Sequence, residues 1–310
     1  MTGKPWLQHY MEGVPAEIDL DQYHSVVDIL AQSCDTYRDR PAFRNFGATL
    51  TFGDLDRLSR NFAATLQARG LKPGERIALM MPNILQYPVA LFGALRAGLV
   101  VVNTNPMYTK RELRHQLVDS GARAIVIVDN FANVLEGVQD EVPVEFIFTT
   151  SVGDMVGFPK GTLINFMLRH VRKAIPAYSL PTAERFTDAV DAGEKHPLSP
   201  VTLGFDDIAF LQYTGGTTGV AKGAMLTHRN MVANMLQAKA WLGNLEVGEE
   251  VIITALPLYH IFALTANCLV FMALGGCNVL ITNPRDMPGF VKELDKQRFT
   301  AITGVNTLFN

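Results

Sequence analysis

The feature that most constrains this chain is the rhythm of its first 150 residues, where segments of helical period alternate with short, continuous apolar runs. Thr51, with Asp54 three residues on, opens a helix whose apolar face is Leu55, Leu58, Phe62 and Leu66 and which Gly70 stops. Arg76–Met80 follows as a short buried strand ended by Pro82, and a second helix runs from about Gln86 to Arg96 with Gly98 just beyond it. Leu99–Val102 has strand length, and Thr109 with Glu112 marks a capping box for a third helix through Asp119. Ala124–Val128 and Val144–Phe148 are further β-rich runs. Strands without polar alternation are buried on both faces, and helices between them supply parallel crossovers. The pattern predicts an α/β fold with mainly parallel sheets flanked by helices.

Residues 150–205 break the rhythm with glycines, prolines and weak periodicity, which marks an irregular connection. Alternation resumes at Ile208–Tyr213. The expected division is a first α/β subdomain over 1–160, a connection over 161–205, and a second α/β subdomain over 206–310. Within the connection, Leu163, Phe166, Met167, Val171 and Ala174 fall on one helical face and Asn165, Arg169, Arg172 and Lys173 on the other, with Pro176 ending the pattern. A basic amphipathic helix of this kind can lie on an anionic membrane surface or pack as an ordinary surface helix.

With 48% hydrophobic and 18% charged residues, the chain has material for a large core, which excludes disordered, collagen-like and mucin-like classes. A net charge of −3 provides no global attraction to nucleic acid. Cys34, Cys268 and Cys277 are an odd count without CxxC spacing, so a reducing, cytoplasmic setting is expected. The N-terminal residues contain no apolar signal-peptide core. The most apolar stretch, Ile261–Leu274, has 14 residues against the roughly 20 of a spanning helix, and reads as a core helix.

The richest chemistry lies in the segment Tyr213, Thr214, Gly215, Gly216, Thr217, Thr218, Gly219, Val220, Ala221, Lys222, Gly223, Ala224, between an apolar strand and a second short run. Its glycines let the backbone approach a ligand closely, and successive N–H groups in such a turn form an anion-binding nest. The threonine hydroxyls and the Lys222 ammonium suit a polyphosphate. The order is not that of a Walker A loop, because Lys222 follows Ala221 and precedes Gly223.

This segment, TGGTTGVAKG, resembles the phosphate-loop signature of the adenylate-forming superfamily of acyl-CoA synthetases, luciferases and peptide adenylation domains. Leu50–Leu55, Leu95–Gly98, Asn103–Pro106, Leu226–Asn230 and Pro257–His260 resemble the superfamily's other elements, in the expected order, and the wording is most similar to bacterial long-chain fatty acid–CoA ligases. The resemblance implies that a carboxylate is joined to AMP with release of diphosphate and then passed to the thiol of CoA. ATP, Mg²⁺ and CoA would be the cosubstrates. Residues 213–224 would hold the nucleotide's phosphates. His260 would stand near the reacting carboxylate, and Ile261–Met272 would line part of an acyl tunnel or serve as plain core. Family elements for Mg²⁺, adenine and ribose, and a small C-terminal domain with a catalytic lysine, are expected beyond Asn310. The chain then reads as an N-terminal portion that is inactive alone, with a homodimer and peripheral membrane contact as its expected associations. A ligase for another carboxylic acid, or a nonenzymatic nucleotide- or lipid-binding module, fits the same residues.

Overall fold

The computed structural model describes residues 4–215, 221–243 and 245–309. Its helices begin where local chemistry directs. Phe52–Ala68 starts on a reciprocal capping box, with the Asp54 N–H donating to the Thr51 hydroxyl at 3.0 Å and the Thr51 N–H to the Asp54 carboxylate at 3.2 Å. Lys110–Ser120 starts on the matching Thr109–Glu112 box and ends on Gly121 in the left-handed region, φ 60°. Gln86–Arg96 has all eleven residues buried, as an all-round apolar helix must be. It lies so close to Phe52–Ala68 that a Cβ on Gly93 would stand 2.8 Å from the Phe62 ring.

The strands are β1 (Pro41–Asn45), β2 (Ala48–Thr51), β3 (Arg76–Met80), β4 (Val100–Asn103), β5 (Ala122–Val128), β6 (Phe146–Thr150), β7 (Glu184–Arg185), β8 (Ile208–Thr214), β9 (Lys222–Thr227), β10 (Val251–Thr254), β11 (Cys277–Leu280) and β12 (Ala301–Thr303). They form a seven-stranded sheet, β7-β6-β5-β3-β4-β8-β9, and a five-stranded sheet, β12-β10-β11-β1-β2. Among the described residues only β1–β2 and β8–β9 pair antiparallel. The expected α/β class with mainly parallel sheets is the fold observed. The main apolar core runs from Tyr23 to Leu280 and joins residues of both sheets with the helices between them.

Sheet membership does not follow the expected division at 160 and 206. β1 and β2 join the sheet built from residues beyond 250, with Phe43 opposite Asn278, while β8 pairs β4, with Val101 opposite Phe210. Periodicity locates a strand but says nothing of its partner, and these partners are far apart in sequence. The basic amphipathic helix spans Lys160–Phe166 and continues as a π-helical turn over Met167–Val171, so it stops short of Pro176. Ile164 and Leu168 pack against the core, and the Asn165 amide oxygen accepts the Gly153 N–H at 2.7 Å. The expected apolar face is turned outward: Leu163, Phe166 and Val171 are 60%, 55% and 59% exposed. Ile261–Ala273 is helical, with a π-helical stretch over Leu264–Leu269, and is buried apart from its first turn, where Phe262 is exposed. No helix among the described residues is long and apolar enough to cross a membrane. All three cysteines are free and buried, and burial pushes the Cys268 thiol up to about 12, so these are inert core thiols.

Candidate functional site

The glycine- and threonine-rich segment joins two antiparallel strands whose pairing closes at Thr214 opposite Lys222. Thr214, Gly215, Lys222 and Ala224 are exposed at this neck, Ala221 and Gly223 are half-buried, and Tyr213 is buried. Gly216, Thr217, Thr218, Gly219 and Val220 lie outside the described residues. Gly223 sits opposite Tyr213, whose ring covers it so closely that a Cβ there would be 2.9 Å from the ring. A glycine under an aromatic ring on the paired strand restores packing that the missing side chain would forfeit. The Tyr213 hydroxyl donates to Asp119 Oδ2 at 2.6 Å, and burial together with this bond raises the phenol's pKa.

His260 caps the start of the Ile261–Ala263 turn with an exposed imidazole, beside the Tyr259 ring at 5.6 Å between centroids. Its N–H donates to the Pro257 carbonyl at 3.0 Å, so Pro257–His260 forms a tight turn directly after β10. What fixes this turn comes from the other sheet. Asn83, 3% exposed in the bend after β3, donates to the carbonyls of Thr254 and Leu256, both at 2.9 Å, and accepts the Leu258 N–H at 2.8 Å. The Tyr87 hydroxyl lies 2.9 Å from the Leu258 carbonyl and 2.7 Å from Asn103 Oδ1. Burial raises the Tyr87 pKa well above its ordinary value, so the phenol stays a neutral donor. Gln212, two residues before Thr214, donates to the Tyr259 carbonyl at 3.2 Å.

The two predicted site segments are thereby joined: the strand that carries the loop holds the residue before His260. Asn103, Thr214 and Thr254 all end parallel strands, and the carboxyl ends of such strands are where α/β folds place their ligands. The residues that make the junction, Asn83, Tyr87 and Gln212, escaped sequence reading. Their signal is a lone polar group in an apolar context, as Gln212 in IAFLQYT, which is also how any satisfied core polar residue looks.

The Ile261–Ala273 helix presents Ala263, Leu264, Leu269 and Val270 to the main core. Cavities of about 280 Å³, between residues 10–18 and Trp241, and about 510 Å³, between Asp154 and Asp191, are lined by neither this helix, the loop nor His260. Among the described residues no group of three or more His, Cys, Asp or Glu side chains is placed to hold a metal ion.

Residues 30–310 match the family described as AMP-binding enzyme. Over 309 residues the chain is 59% identical to a long-chain-fatty-acid–CoA ligase of Escherichia coli O157:H7, and over 312 residues 52% identical to one of Haemophilus influenzae, with 99% of this chain aligned in each case. It spans about half the length of these relatives, 55% of each. Among solved structures, an anthranilate CoA ligase in complex with anthranoyl-AMP superposes with a TM-score of 0.77 at 19% identity, over 94% of this chain and 52% of that one. A long-chain-fatty-acid-CoA ligase from Archaeoglobus fulgidus gives 0.71 at 21% identity, over 92% and 52%. Identities that low speak for the fold alone, and the fold agrees with the match along the sequence. By that match, which covers all but the first 29 residues, the chain belongs to the AMP-binding enzyme family.

Proposed function

We propose that the whole protein is a long-chain fatty acid–CoA ligase and that this chain carries its phosphate-binding hairpin and part of its acyl site. A fatty carboxylate oxygen attacks the α-phosphorus of ATP; the new O–P bond forms as the bond to diphosphate breaks, leaving an acyl-adenylate. The CoA thiolate then attacks the acyl carbon, and AMP departs with the carboxylate oxygen it acquired. In this reading Thr214, Gly215 and Lys222 form the neck of the hairpin, and Tyr213–Ala224 as a whole cradles the β- and γ-phosphates. The Lys222 cation and backbone N–H groups offset charge that the attacking anion would otherwise meet unscreened. Magnesium arrives with ATP as part of the substrate. His260, exposed at a helix start, faces the reacting carboxylate, and Ile261–Met272 walls the acyl chain.

The observation that carries this reading is the Gln212–Tyr259 bond, which ties the hairpin strand to the His260 turn at the strands' carboxyl ends. Relatives named long-chain-fatty-acid–CoA ligases, 52–59% identical over 99% of the chain, support the substrate class. Contact with an anionic membrane surface, through the outward face of the 160–171 helix, and a homodimer belong to the same proposal. Palmitate-dependent exchange of labelled diphosphate into ATP tests it, using the chain completed with the remaining segment of the Escherichia coli relative. Exchange that needs palmitate and disappears in Lys222→Ala supports the proposal. A folded protein that exchanges with no fatty acid refutes it.

A further inference from the structure

The Lys110–Ser120 helix covers the seven-stranded sheet with Leu113 and Leu117, both fully buried. Covering the sheet needs nothing more, yet two polar residues of the same helix, four apart and so on one face, address the hairpin. His115 Nε2 lies 2.9 Å from the Ala221 carbonyl oxygen, on the returning arm. Asp119 accepts the Tyr213 hydroxyl at 2.6 Å, on the outgoing arm. The His115 ring meets the Tyr213 ring edge-on, with centroids 6.5 Å apart at 86°. Gln116, between them in sequence, donates to the Asn103 carbonyl at 3.0 Å and fastens the helix to the end of β4.

We propose that His115 and Asp119 are positioning residues for triphosphate binding. His115 acts through the Ala221–Lys222 peptide and Asp119 through the Tyr213 hydroxyl. Ala221 and Lys222 share one peptide plane, so a donor on the Ala221 carbonyl fixes the direction in which the Lys222 N–H and side chain leave the strand. Tyr213 lies across Gly223, so its anchor at Asp119 fixes the strand pair one step behind the Thr214–Lys222 neck. One helix therefore sets both arms, and the affinity of the hairpin for phosphate depends on its hold on them. This inference rests on the reading of the hairpin as the phosphate holder.

The test is equilibrium titration of the chain completed with the remaining segment of the Escherichia coli relative, with magnesium-ATP and, separately, with inorganic tripolyphosphate, alongside thermal midpoints. His115→Ala and Tyr213→Phe each lose one hydrogen bond, and both should weaken either ligand by at least about five- to tenfold. His115→Gln, whose amide nitrogen can stand where Nε2 stands, should restore binding to within about twofold, a rescue that a merely packing role would not show. Lys222→Ala serves as the reference for the hairpin itself. If Lys222→Ala weakens binding while His115→Ala and Tyr213→Phe bind as the parent, positioning is refuted and the phosphate reading stands. If Lys222→Ala also binds as the parent, or the folded chain binds neither ligand, both are refuted. Failure of His115→Gln to rescue refutes the role of the donor, and should His115→Ala not fold, Tyr213→Phe against Asp119→Asn decides.

Discussion

Replacing Asn83 by alanine probes the junction between the two sheets most sharply. The side chain is buried and makes three hydrogen bonds to the backbone around β10. The Thr254 carbonyl keeps a second partner, since it also accepts the Ile281 N–H at 3.1 Å. The substitution therefore strands one N–H, of Leu258, and one carbonyl, of Leu256. The buried Leu258 N–H costs about 1–3 kcal/mol, the half-buried Leu256 carbonyl less because water reaches it, and the small cavity adds to that, so the loss should be about 3 kcal/mol. For a chain of 310 residues that lowers the midpoint of thermal unfolding by about 5 °C. Asn83→Asp keeps the acceptor for Leu258 but turns a carboxylate oxygen toward two carbonyls. At neutral pH it should therefore unfold at a lower temperature than Asn83→Ala, and it should recover as acid protonates the carboxyl. Thermal scans of the three proteins, followed by circular dichroism, read the difference. If Asn83→Ala melts within about 2 °C of the parent, or Asn83→Asp is the more stable variant at neutral pH, the three bonds are not holding the turn and the reasoning is wrong.

His228 accepts the buried Val26 N–H at 3.1 Å through Nδ1, and burial lowers its pKa below the ordinary 6.5. The unfolded imidazole takes up a proton before the folded one does, so stability should be full above about pH 6.5 and fall as pH drops toward the lower folded value; denaturant midpoints measured against pH should flatten in His228→Asn, which keeps an acceptor. His260→Ala should leave magnesium-ATP affinity within about twofold while cutting acyl-CoA formation by at least tenfold, since a group facing the carboxylate acts on the transition state and not on phosphate binding; equal losses in both would remove it from the acyl site. Exchanging Arg169, Arg172 and Lys173 for glutamate should abolish flotation with vesicles containing phosphatidylglycerol, because each cation near an anionic surface contributes about 1 kcal/mol. Unchanged flotation would count against the 160–171 helix as the contact.

Local chemistry was legible in the sequence. The Thr51–Asp54 and Thr109–Glu112 boxes start helices at the positions their spacing indicates, because a cap is satisfied within three residues. Apolar runs such as Ile125–Val128 mark buried strands for the same reason. Partnership was not legible. Phe43 and Asn278 are 235 residues apart, and nothing in either run names the other. The amphipathic helix shows a related failure: its apolar face is visible in the sequence, but Ile164 and Leu168, which form no stripe with that face, are what dock it. The glycine-rich hairpin announced itself by composition. The groups that hold it in register, His115 and Asp119, did not, since on a helix surface they look like ordinary solvated residues.

On the proposed reading, the whole protein joins a fatty carboxylate to AMP through an acyl-adenylate. The direct measurement uses palmitate labelled with heavy oxygen in both carboxylate positions, turned over with ATP and CoA by the completed chain, with mass analysis of AMP and diphosphate. The account predicts one heavy oxygen in each AMP and none in diphosphate, because the carboxylate oxygen that attacks the α-phosphorus stays with it when the thiol displaces AMP. Unlabelled AMP, with the label in diphosphate or phosphate instead, would contradict it.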